Sequence, residues 1–85
     1  MKRKTIQIKL ETGLEARPVA LLVQEASKYE SKIYLETADK RVNAKSIMGM
    51  MSLGLDNGEE ITICVEGADE DEALAGLEKF LTIEA

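Results

Sequence analysis

The chain contains no histidine and no tryptophan, and only one cysteine and one proline. Each shortage removes something. Without an imidazole, no phosphoryl transfer can run through a histidine nucleophile. The lone thiol, Cys64, cannot close an internal disulfide. Its place in the alternating run Ile61-Thr62-Ile63-Cys64-Val65 reads as a small packed hydrophobe rather than a reactive group. Aromatic residues are only 4% of the chain, so aliphatic side chains must fill its core. Positive charge is also short: 11 Lys and Arg stand against 16 Asp and Glu, a net charge of −5. That balance weighs against nonspecific binding to nucleic acid or to an anionic membrane, both of which need a basic face. No run approaches the ~20 apolar residues of a membrane span. Met1-Lys2-Arg3-Lys4 is followed by alternation, not by the apolar run of a signal peptide, so a cytoplasmic protein is expected.

What is present suffices for one domain over residues 1–85, of which 45% are hydrophobic. A chain this short buries only about 60–65% of its unfolded surface and is marginally stable. Thr5-Ile6-Gln7-Ile8-Lys9-Leu10 alternates strictly and predicts a half-buried strand with Ile6, Ile8 and Leu10 inward. The basic clusters Lys2-Arg3-Lys4 and Lys40-Arg41 read as solvated surface. Gly13 breaks the strand, and Pro18 suits a first helical turn. Val19, Leu22, Val23 and Ala26 then form one apolar stripe, closed by Tyr29. Ser31 to Glu36 predicts a second strand with Ile33 and Leu35 inward. Thr37 to Lys40 predicts a turn, and Arg41-Val42-Asn43 a short third strand. Ser46 heads a short helix to about Leu53. Asp56-Asn57-Gly58 is a turn signal, and Glu60 to Glu66 alternates as a fourth strand. Asp69, with Glu72 three residues on, predicts a capping box for a last helix whose apolar face is Ala73, Leu74, Leu77, Phe80 and Leu81. The order is β-α-β-β-α-β-α. It predicts an α+β open-faced sandwich, with a sheet covered on one face by helices.

Two strings carry chemistry. Gly13-Leu14-Glu15-Ala16-Arg17-Pro18 enters the first helix, and Asn43-Ala44-Lys45-Ser46-Ile47-Met48-Gly49-Met50-Met51-Ser52-Leu53 enters the second. Ser46 on its own reads as an N-cap whose hydroxyl accepts a backbone N–H. Met48 and Met51 share a face at i, i+3, with Ile47 beside them. Met50 and Leu53 are expected inward. Methionines are adaptable contacts, common at docking surfaces.

Both strings, and the element order of the whole chain, resemble the HPr family of the bacterial sugar phosphotransferase system. The resemblance implies a four-stranded antiparallel sheet in the order 1-4-2-3. It implies that Glu15 stands where the family carries its phosphoryl-accepting histidine, beside the phosphate-stabilising arginine, here Arg17. A carboxylate ionised near pH 7 repels an incoming phosphoryl donor, so the carrier site is dismantled and no catalytic residue remains. The serine site is complete. The chain is most similar to the regulatory branch of the family, catabolite repression HPr, which keeps the serine and lacks the histidine. Members of that branch carry glutamine where this chain has Glu15.

From that resemblance follow the expected partners. An HPr kinase/phosphorylase adds and removes a phosphate on Ser46 using ATP. A LacI-type catabolite control repressor binds the seryl-phosphorylated form through Glu15, Arg17, Lys45, Ser46, Ile47, Met48 and Met51. No direct nucleic-acid or membrane contact, no metal and no cofactor is implied. An exposed first-strand edge permits strand exchange with a second copy. Two other roles stay open: a phosphocarrier component of the phosphotransferase system, and a binding regulator of a central-carbon enzyme.

Overall fold

The computed structural model describes residues 1–9, 16–54 and 56–82. Among the described residues seven elements follow one another: β1 (Lys2–Gln7), α1 (Ala16–Ser27), β2 (Lys32–Glu36), β3 (Arg41–Asn43), α2 (Ile47–Met51), β4 (Glu60–Glu66) and α3 (Glu70–Leu81). The four strands form one antiparallel sheet in the order β1-β4-β2-β3. This is the expected α+β open-faced sandwich with the strand order that the resemblance implied.

Alternation dictates the core. On β4, Ile61, Ile63 and Val65 point under the helices, where Ile6, Ile33 and Leu35 join them from the neighbouring strands. Val19, Leu22, Val23 and Ala26 of α1 and Ala73, Leu77 and Leu81 of α3 close the layer from above. Leu74 and Phe80 pack at its margin.

Four boundaries differ from expectation, the slightest being β2, which begins at Lys32 rather than Ser31. β1 begins at Lys2, not Thr5, because Lys2, Arg3 and Lys4 pair in register with Val65, Cys64 and Ile63. The basic cluster is exposed but not idle. Lys2 pairs with Asp71, Lys4 Nζ lies 2.8 Å from Glu78, and the Met1 amine lies 3.6 Å from Glu70, so charge ties the edge strand to α3. β1 ends at Gln7 because the Lys9 amide turns away to donate to the Leu81 carbonyl at 2.8 Å. Ile8 is nevertheless fully buried, while Leu10 lies outside the described residues. Finally, α2 stops at Met51, with Leu53 buried just beyond it.

The capping box is also corrected. Asp69 is the N-cap of α3, but its side chain makes no cap bond there. It instead accepts from the Glu30 amide (2.9 Å), the Ser31 amide (2.9 Å) and the Ser31 hydroxyl (2.5 Å). The carboxylate thereby fastens the α1–β2 connection to the head of α3. These donors, the Ser31 hydroxyl foremost, hold the Asp69 carboxyl below its ordinary range. Gly67 makes the approach possible, since a Cβ there would stand 2.7 Å from Ser31 Cα.

A second close approach lies between the long helices. A Cβ on Gly76 of α3 would overlap the Tyr29 hydroxyl and stand 3.0 Å from its Cζ. The glycine gives the ring its seat, and Tyr29 Oη donates to Glu25 Oε2 at 2.9 Å.

Cys64 lies on the face of the sheet away from the helices and is still buried. Arg3 pairs with it in register on one side and Tyr34 on the other. Arg3 Nη2 meets Glu36 Oε1 at 2.5 Å, Arg41 Nε meets Glu36 Oε2 at 3.2 Å, and Arg41 stacks 4.1 Å above the Tyr34 ring. Burial, then the neighbouring Glu36 charge, push the thiol's pKa up, so it stays protonated and inert.

Candidate functional site

The candidate site is the head and outer face of α2, where it packs against α1 and β3. Local hydrogen bonds set its geometry. The Asn43 side-chain oxygen accepts from the Lys45 amide (2.8 Å), and the Asn43 carbonyl accepts from the Ser46 amide (3.0 Å), which turns the chain out of β3. Ala44 is buried, with its amide donating to the Ile33 carbonyl at 2.9 Å. Ser46 then takes extended angles, φ −111° and ψ 115°, and its hydroxyl accepts from the Gly49 amide at 3.2 Å. It is the N-cap its sequence predicts. At the far end, Lys40 Nζ donates to the Ser52 carbonyl at 2.7 Å, and the Ser52 hydroxyl to the Gly49 carbonyl at 2.6 Å. A cation at that pole complements the last carbonyls of the helix.

The helix divides its methionines. Met50 is fully buried, whereas Met48 is 84% exposed, Ile47 53% and Met51 48%. One short helix thus anchors through Met50 and leaves an apolar strip next to the Ser46 hydroxyl. Sequence reasoning missed Leu21, 46% exposed on α1, the helix that packs against α2. A leucine off the buried Val19, Leu22, Val23 and Ala26 stripe was the available signal.

The remaining expected residues fall unevenly. Arg17 is exposed in the first turn of α1. Lys45 is half-buried, and its Nζ donates to the Tyr29 carbonyl at 2.6 Å. That bond ties the loop before α2 to the segment that follows α1. Glu15 lies outside the described residues. Among the described residues, no group of three His, Cys, Asp or Glu side chains could hold a metal ion, and no helix is long and apolar enough to cross a membrane.

The arrangement offers a cap hydroxyl beside an uncovered apolar strip, on a helix anchored from beneath. It can accept a group on oxygen and present it with little change to the core.

Comparison with known proteins bears on this site. The family described as "PTS HPr component phosphorylation site" matches residues 2–82. The HPr-like protein Crh of Halalkalibacterium halodurans is 52% identical over 81 residues, covering 95% of this chain and 96% of that one. The crystallised HPr of Thermoanaerobacter tengcongensis superposes with a TM-score of 0.92 at 50% identity, covering 100% and 99% of the two chains. The crystallised Crh of Bacillus subtilis, described as a dimer with a swapped domain, superposes with a TM-score of 0.80 at 47% identity, covering 100% and 98%.

Proposed function

The chain belongs to the HPr family, and from that membership we propose that it is a regulator of carbon catabolite repression rather than a carrier. An HPr kinase/phosphorylase transfers the γ-phosphoryl group of ATP to Ser46 Oγ in the cytoplasm. The phosphoprotein then docks on a LacI-type catabolite control repressor and acts as its cofactor. The protein catalyses nothing itself and does not touch DNA.

One contrast carries this reading. The chain has no histidine at all, yet Ser46 caps its helix beside exposed Ile47, Met48 and Met51. A carboxylate at position 15 is ionised near pH 7 and repels a phosphoryl donor, whereas a serine ester is stable and serves as a mark. A phosphoserine supplies about −1.5 to −2 charges and three acceptors for a basic partner group. The strip beside it supplies apolar area, and we assign Glu15 and the exposed Arg17 to the same partner surface on the family resemblance. Lys45 contributes by holding the loop, through its bond to the Tyr29 carbonyl.

The test is incubation with HPr kinase and ATP, then mass spectrometry and repressor binding, with phosphorylated HPr as positive control. A phosphate on Ser46 and binding of the phosphorylated form alone are expected. Modification elsewhere, or no binding where phosphorylated HPr binds, would remove the reading.

The HPr neighbour superposes with a higher TM-score than the Crh neighbour, 0.92 against 0.80 at similar identity, which favours one second reading, a phosphocarrier. An acid-labile, stoichiometric label from phosphoenolpyruvate and the general phosphotransfer enzyme would establish it. Assembly is proposed as well. β1 is an edge strand, paired on one side with β4 and open on the other, so it can exchange with a second copy. Sedimentation at several concentrations measures this.

A further inference from the structure

The chain has four methionines, and the fold treats them unequally. Met48 and Met51 stand in the open on one face of α2, while Met50, between them in sequence, is sealed in the core. Met1 is exposed too, but it precedes β1, the sheet edge opposite β3.

We propose that Met48 and Met51 form a reversible oxidation site through which peroxide controls docking at the Ser46 face. The inference rests on the regulatory reading above. The co-reactant is a hydroperoxide. A thioether lone pair attacks one peroxide oxygen and the O–O bond breaks. An S–O bond forms, and the other oxygen leaves as water or an alcohol after taking up a proton. Sulfur loses two electrons and the peroxide gains them. A methionine sulfoxide reductase with a thiol reductant reverses the change.

Three features separate this site from indiscriminate damage. Access is graded within one helix turn: Met48 needs no opening, whereas Met50 reacts only after local unfolding. Both reactive side chains are exposed on the helix that Ser46 caps, on the face proposed above for docking. Oxidation there spares the fold, because α2 is anchored through Met50. A sulfoxide turns an adaptable apolar contact into a fixed strong acceptor. Against an apolar partner surface that acceptor has no donor, so each sulfoxide weakens docking by about tenfold.

The experiment uses the full chain phosphorylated on Ser46, treated with graded hydrogen peroxide. Peptide mass spectrometry follows each methionine, and binding to the catabolite control repressor is measured at each step. Oxygen is expected on Met48 first and Met51 next, with Met50 at least about tenfold slower. Affinity is expected to fall with the Met48 and Met51 products and to return after reductase treatment. In a Met48→Leu/Met51→Leu variant, whatever affinity the two substitutions leave, peroxide is expected to change binding no further even as Met1 oxidises. Met50 reacting as fast as Met48, or equal binding before and after oxidation, would overturn the switch alone. No binding before peroxide is added would overturn the regulatory reading and the switch with it.

Discussion

Replacing Ser46 with alanine is expected to cost stability as well as the modification site, and the two effects can be separated. The Ser46 hydroxyl satisfies one backbone donor, the Gly49 amide, at 3.2 Å. That distance is long for an N–H···O bond, and α2 has only 5 residues. The cost therefore falls in the lower half of the N-cap range, about 0.5–1 kcal/mol. For a domain of this size the melting temperature drops by about 2–8 °C. Ser46→Asp keeps an acceptor of equal capping rank and is expected to melt like the unmodified protein. Phosphorylation also keeps an acceptor at that position. With so few aligned peptides in α2 the dipole gain is small, at most about 0.3 kcal/mol. The ordering by scanning calorimetry is thus Ser46→Ala lowest, with the other three forms together. A phosphorylated protein that melts as low as Ser46→Ala would refute the claim that the mark changes the surface and leaves the fold alone. An alanine variant with unchanged melting would show that the Gly49 contact contributes nothing.

Other outcomes follow from the same geometry. Gly76→Ala normally gains about 1 kcal/mol of helix propensity, but here the new methyl group evicts the Tyr29 ring, so chemical denaturation should show a net loss. The sign should reverse in a Tyr29→Ala background, and a loss in both backgrounds would discount the ring contact. Glu15→His is expected to restore at least partial phosphoryl acceptance from the general phosphotransfer enzyme, read as an acid-labile label. The Asp69 carboxyl titrates below its ordinary value when folded. Its contribution is therefore complete above about pH 4 and is lost as pH falls through the lower folded value. Urea midpoints should separate wild type from Asp69→Asn above that range and converge in strong acid.

The parts of the fold governed by periodicity were legible. Ile61, Ile63 and Val65 alternate because one sheet face is covered, and Ala73, Leu77 and Leu81 recur because one helix face is. The outward Ile47, Met48 and Met51 were legible because five residues cannot bury every side. What stayed hidden depends on partners distant in sequence. Lys2, Arg3 and Lys4 carry no strand pattern and are drawn into β1 by pairing with β4 and by acids on α3. Asp69 carries the local signature of a cap, yet three donors at Glu30 and Ser31 outcompete its own helix. Lys45 is expected only at the partner surface, and its bond to the Tyr29 carbonyl follows from no local pattern. In the candidate site, cap and strip followed from local rules, whereas the exposure of Leu21 on α1, the helix that packs on α2, did not.

The ion pairs roofing Cys64 make the molecule its own gauge of sheet opening. A thiol-reactive dye can reach that sulfur only after the arginine–glutamate lid parts or the neighbouring strands separate. With a single cysteine in the chain, the labelling rate reports one event without ambiguity of site. Salt that screens the lid should speed it. Anything that clamps the strands together should slow it, giving a clock for breathing of the central sheet that needs no engineered probe.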